Sequence, residues 1–78
     1  MISRSPEDLP LRTGDDLMRL RQLLRVWSGE IGFSLVEQTK FVTAASEIAR
    51  NALVYGGGGD AHVEQIVDGA RVGLRLVV

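Results

Sequence analysis

Between Ser34 and Tyr55 runs a helix-length stretch in which apolar or small residues recur on nearly every face. Phe41, Ala44, Ala45, Ile48, Ala49, Ala52 and Leu53 cover most of its circumference. Gly56 to Gly59 then stop it at once. A helix this apolar has to be buried on two sides, and in a small chain that means another helix and a sheet. Ser34 and Glu37 form a capping box at its start, and Phe33 just before them can staple to the first turns. Lys40, Thr43, Glu47, Arg50 and Asn51 fall on the one remaining strip. The alanines at 44, 45, 49 and 52 permit close packing.

The rest of the chain supplies what that helix needs. Thr13 can cap a first helix of about Asp15 to Glu30, with Asp15 and Asp16 at the positive dipole end. Leu17, Leu20, Leu24 and Trp27 form its apolar stripe, widened by Leu23 and Ile31. Arg19, Arg21 and Arg25 lie off the stripe, and Gly29 and Gly32 close the helix. Leu9–Arg12 reads as a short edge strand, since Pro10 cannot donate to a central ladder. Ala61–Val67 reads as a strand, Asp68-Gly69 as a hairpin turn, and Val72–Val78 alternates as a half-buried strand. The reading is an α+β two-layer sandwich, two helices on a small mixed sheet, with residues 1–8 as a flexible tail and 9–78 as the domain.

Composition narrows the function. Nine basic and ten acidic residues give a net charge of −1, so there is no basic footprint for nucleic acid. There is no cysteine for a disulfide or thiolate metal site, and the lone His62 excludes a multi-histidine zinc centre within the chain. The first residues have no apolar core of a secretory signal, and no apolar run approaches the ~20 residues of a membrane span. The expectation is a cytoplasmic protein. His62 reads as a half-exposed strand residue, Trp27 as core, and Tyr55 as packed at the helix end.

Glu47 and Asn51 are four residues apart and share one helical face. By spacing alone they are as readily two solvated polar residues as a site. Their residue types suit chemistry at a magnesium-bound phosphate: a carboxamide oxygen is a hard ligand for Mg²⁺, and a carboxylate can orient or deprotonate a nucleophile. The longer string, Thr43-Ala44-Ala45-Ser46-Glu47-Ile48-Ala49-Arg50-Asn51-Ala52 leading to Tyr55-Gly56, resembles the N-box of the GHKL (Bergerat-type) ATPases. It looks most like their anti-sigma-factor and RsbT-type serine-kinase branch. The resemblance extends from about Thr13 to Val78 and includes Glu30-Ile31-Gly32-Phe33, Val36 to Lys40, and Val63-Glu64-Gln65 before the hairpin.

The resemblance implies an ATP-dependent serine/threonine-protein kinase of a bacterial stress-signalling, partner-switching pathway. Its cofactors are ATP and Mg²⁺, and its partner is a STAS-domain antagonist, a sigma factor or a phosphatase protein. It implies Asn51 as the Mg²⁺ ligand at the ATP phosphates and Glu47 as the general base. Arg50 is implied near the phosphates or the partner, against a plain reading as a solvated charge. Arg19, Arg21 and Arg25 are a solvated face or part of a docking surface for an acidic partner. The alternatives are an anti-sigma module acting by sequestration, a regulatory nucleotide-binding domain without phosphotransfer, and the ATP-binding part of a histidine kinase; Glu47 argues against the last.

One departure matters. The family's Asp-x-Gly-x-Gly loop and glycine-rich lid do not follow within these residues, and Gly56 to Gly59 lacks the Gly-Lys-Ser/Thr ending of a P-loop. The glycine run reads as a helix C-cap and loop. The chain reads as a fragment holding the N-terminal half of a nucleotide site, inactive alone, with uncovered sheet edges through which it can self-associate.

Overall fold

A computed structural model describes residues 5–69 and 71–78. The elements run β1 (Glu7–Leu11), α1 (Gly14–Glu30), α2 (Leu35–Tyr55), β2 (Gly59–Asp68) and β3 (Arg71–Val77). Two helices cover one face of a three-stranded sheet ordered β1-β2-β3. Both strand pairs are antiparallel, so the sheet is not mixed as the sequence reading had it. The tight hairpin returns β3 alongside β2, while the two helices together carry the chain from β1 back to β2 in the opposite direction.

Each helix begins with a closed capping box. At α1 the Asp16 amide donates to Thr13 Oγ1 at 3.2 Å while Asp16 Oδ2 accepts from the Thr13 amide at 3.1 Å. At α2 the Glu37 amide donates to Ser34 Oγ at 3.1 Å and Glu37 Oε1 accepts from the Ser34 amide at 2.9 Å. These bonds satisfy orphan amides at the helix starts and hold both carboxyls below the usual carboxylate range. The Arg12 amide is the largest contribution at Asp16, and the Ser34 amide at Glu37. Phe33 meets Phe41 edge-on, ring centroids 6.2 Å apart, which fixes the entry angle of α2.

The core is Leu11 from β1, Leu20, Leu24 and Trp27 from α1, Val42, Ala45 and Ala49 from α2, and Ala61 and Val63 from β2. Alternation puts Leu9, Leu11, Ala61, Val63, Leu74 and Leu76 on the helix side and Asp8, His62, Glu64 and Arg75 on the open side. Buried Ser28 is satisfied by donating to the Arg25 carbonyl at 3.2 Å.

Three expectations are corrected. Among the described residues α2 is buried on one side: Ala44 is exposed and Ile48 is 56% exposed, because α1 and the sheet meet it along a single stripe. Tyr55 is 85% exposed rather than packed at the helix end. The first strand begins at Glu7, taking Glu7 and Asp8 out of the expected tail because they pair with Val63 and His62; residues 1–4 of that tail lie outside the described residues.

Candidate functional site

The buried stripe of α2 is Val42, Ala45 and Ala49, with Phe41, Ala52 and Leu53 half-buried beside it. Glu47 and Asn51 lie on the opposite, solvent side, about 6 Å apart along the axis and both exposed. The sequence placed them on one face, and the structure keeps them there. Arg50 is also exposed, three residues after Glu47 and about 60° from it around the helix, so it borders the same face.

Among the described residues neither Glu47 nor Asn51 is held by a hydrogen bond or an ion pair. Both side chains are therefore free to meet something outside the fold. Ile48 and Tyr55, with Val54 at 61% exposure, stand around them, an apolar surround on an open helix face. A concavity of about 230 Å³ lies on the α1–α2 seam, lined by Arg25, Leu35, Gln38, Thr39 and Val42, toward the other end of α2. Glu47 and Asn51 lie outside that concavity, on an exposed helix face, and a nucleotide enclosed there needs protein surface from beyond these elements.

The donor set can be tested against magnesium. Among the described residues no three His, Cys, Asp or Glu side chains gather as a metal cage. Mg²⁺ commonly binds through one or two protein oxygens, keeping water and substrate phosphate for the other positions, so a single exposed carboxamide fits that mode. Asn51 is the residue that would hold the ion.

A second polar grouping escaped the sequence reading. On the open sheet face His62 Nδ1 lies 2.6 Å from Asp8 Oδ1, and His62 Nε2 is 3.6 Å from Glu64 Oε2. Arg75 Nη1 sits 3.3 Å from Glu64 Oε1, so the row crosses all three strands. Hydrogen bonding to Asp8 raises the His62 pKa, with Glu64 adding to it. Asp8 is 54 positions from His62, and no local pattern marks that pairing. Arg19, Arg21 and Arg25 are exposed as expected, with Arg19 3.7 Å from Asp16.

Over 62 residues the chain is 40% identical to the serine/threonine-protein kinase RsbT of Bacillus subtilis (strain 168). That match takes in 80% of this chain and 47% of the kinase, so the chain spans about half the length of the curated relative. The two are related over that span. No family model matches the chain, and no solved structure matches it. Among the described residues no helix is long and apolar enough to cross a membrane.

Proposed function

We propose that this chain carries the metal-and-base half of a GHKL-type protein-kinase site in a partner-switching pathway of the cytoplasm. The observation that carries the reading is the Glu47–Asn51 pair, exposed on one face of α2, in a chain 40% identical to a serine/threonine-protein kinase over 62 residues. Neither side chain serves the core, so both are available to a group outside the fold.

In this reading the ATP–Mg²⁺ group supplies a transferable phosphoryl group, and the chain's own residues position the reaction around it. The Asn51 carboxamide oxygen would hold the ion from the α2 face. The Glu47 carboxylate, one turn earlier, accepts the proton of a serine or threonine hydroxyl presented by a partner. The exposed Ile48, Val54 and Tyr55 give that partner an apolar surface beside the chemistry. Arg50, exposed at the border of that face, is placed to approach the phosphates or the partner. The partner is a STAS-domain antagonist.

The open surface also favours the reading that these residues alone do not close a nucleotide site. Calorimetry with ATP–Mg²⁺ on this chain should show no saturable micromolar binding. Saturable micromolar heat would overturn the half-site reading. A second reading, sequestration of a sigma factor, draws on the same apolar surround. Pull-downs against purified STAS and sigma-factor proteins separate the two: retention of the STAS protein supports the kinase reading, and retention of the sigma factor alone supports sequestration.

A further inference from the structure

We propose that the Asp8–His62 contact is a proton-operated clasp on β1. With His62 protonated, the clasp holds the N-terminal half of β1 on the sheet. With His62 neutral, that half-strand peels from β2 while the rest of the fold stays closed.

The core holds β1 at one end. Leu11 is fully buried and Leu9 half-buried, whereas Glu7, Asp8 and Pro10 are exposed. Among the described residues β1 pairs with β2 alone, and its Pro10 has no amide to add to a ladder. A short segment with few buried apolar side chains opens at a lower free energy than the core does. The side-chain link at Asp8 therefore sits where packing does least.

The geometry of that link depends on a proton. Asp8 stands directly opposite His62 in the strand register, with its Oδ1 2.6 Å from His62 Nδ1. The other ring nitrogen, Nε2, is 3.6 Å from Glu64 Oε2. Both nitrogens thus look onto carboxylate oxygens. Arg75 of β3 holds the second Glu64 oxygen at 3.3 Å, which keeps that carboxylate in place. A neutral imidazole has one N–H and one lone pair, so in either tautomer one nitrogen turns a lone pair toward a carboxylate. Only the imidazolium matches both sides. Protonation completes a row running Asp8–His62–Glu64–Arg75 through all three strands.

The surroundings of the ring favour the same state. On the open face around His62 stand Asp8 on β1, Asp60 and Glu64 on β2 itself, and Arg75 on β3. The β3 residue opposite His62 is Val77, and the helices lie on the other face. Three carboxylates thus outnumber one guanidinium, which Glu64 already engages. The hydrogen bond to Asp8 accordingly raises the His62 pKa above 6.5, which puts the change within the range where histidine serves as a switch. The clasp lies on the sheet face away from α2 and stands or falls separately from the kinase reading.

Backbone amide exchange followed by NMR on the 78-residue chain, corrected for the intrinsic pH dependence of exchange, tests the clasp. From mildly acidic to mildly alkaline buffer, protection at Glu7 to Leu9 should fall about threefold, the scale of an exposed charge pair. The amides of Leu24 and Val42, in the core, should keep theirs. His62→Gln and Asp8→Asn should each abolish the pH response of β1. Glu64→Gln, which sets a neutral amide beside Nε2, should lessen it. All three positions lie on the open face, and thermal melts establish that the variants fold. Three results would each overturn the proposal. One is a half-strand whose protection does not change with pH in the wild type. Another is a response that survives in His62→Gln. The third is a loss shared equally by Leu24 and Val42, which marks unfolding of the whole domain.

Discussion

Gly58 offers a test of how α2 is tied to the sheet. The Ala52 carbonyl accepts from both the Gly56 amide at 3.0 Å and the Gly58 amide at 2.9 Å, which turns the chain out of the helix and into β2. Gly58 has φ +90°, and a Cβ built there would lie 2.5 Å from the Leu11 carbonyl oxygen. Its neighbour Gly57 has φ +73° with open space around it. An alanine at position 57 therefore bears the backbone cost alone, about 1–2 kcal/mol. At position 58 the same cost is joined by a clash that moves Leu11, a fully buried residue paired with Gly59. Forced backbone shifts of this kind cost about 1–3 kcal/mol more. With a urea slope of about 1 kcal/mol per molar, the midpoints of Gly57→Ala and Gly58→Ala should differ by about 2 M. Equal midpoints would refute the close approach of the α2–β2 loop to β1.

Further outcomes follow from the packing, the cap and the titrating groups. Leu24→Ala, at a site with no exposure, should cost about 3–4 kcal/mol and leave little cooperative unfolding in so small a domain, read by thermal melting. Ser34→Ala opens the capping box of α2 and should cost about 1 kcal/mol in urea, whereas Thr39→Ala, on the exposed surface, should cost less. The folded state raises the His62 pKa, chiefly through its hydrogen bond to Asp8, so that stabilisation is full below the unfolded value of 6.5 and is lost as pH rises through the folded pKa. Urea midpoints of wild type and Asp8→Asn should accordingly differ at acidic pH and converge in mildly alkaline buffer. Glu47→Ala and Asn51→Ala, both on the exposed face, should change stability by less than about 0.5 kcal/mol.

The helices were legible because their signals are local. The Thr13 cap, the Ser34–Glu37 capping box, a leucine stripe ending at Trp27 and a glycine stop are each readable within a few residues, and all reappear in the structure, where Asp16 closes a second box at Thr13. The face shared by Glu47 and Asn51 is a consequence of four-residue spacing and was legible for the same reason. The partners of α2 were not. Its composition suits burial on two sides, yet Ala44 and Ile48 face solvent, because what covers a helix depends on elements distant in sequence. Sheet direction and the Asp8–His62 contact were hidden likewise, since strand pairing joins residues that no local pattern connects. Asp8 in particular was read as part of the tail; its place in β1 is set by pairing with His62.

The central claim is that Asn51 and Glu47 serve chemistry and not the fold. It is tested most directly by a hybrid kinase in which this chain replaces the 62-residue matching region of Bacillus subtilis RsbT. The measurement is the rate of magnesium-dependent phosphoryl transfer from ATP to a STAS-domain substrate, with and without Asn51→Ala, in hybrids matched for urea midpoint. The account predicts an active hybrid whose rate falls at least about 100-fold when Asn51 becomes alanine. A folded hybrid that transfers phosphate equally well without the Asn51 carboxamide would contradict it.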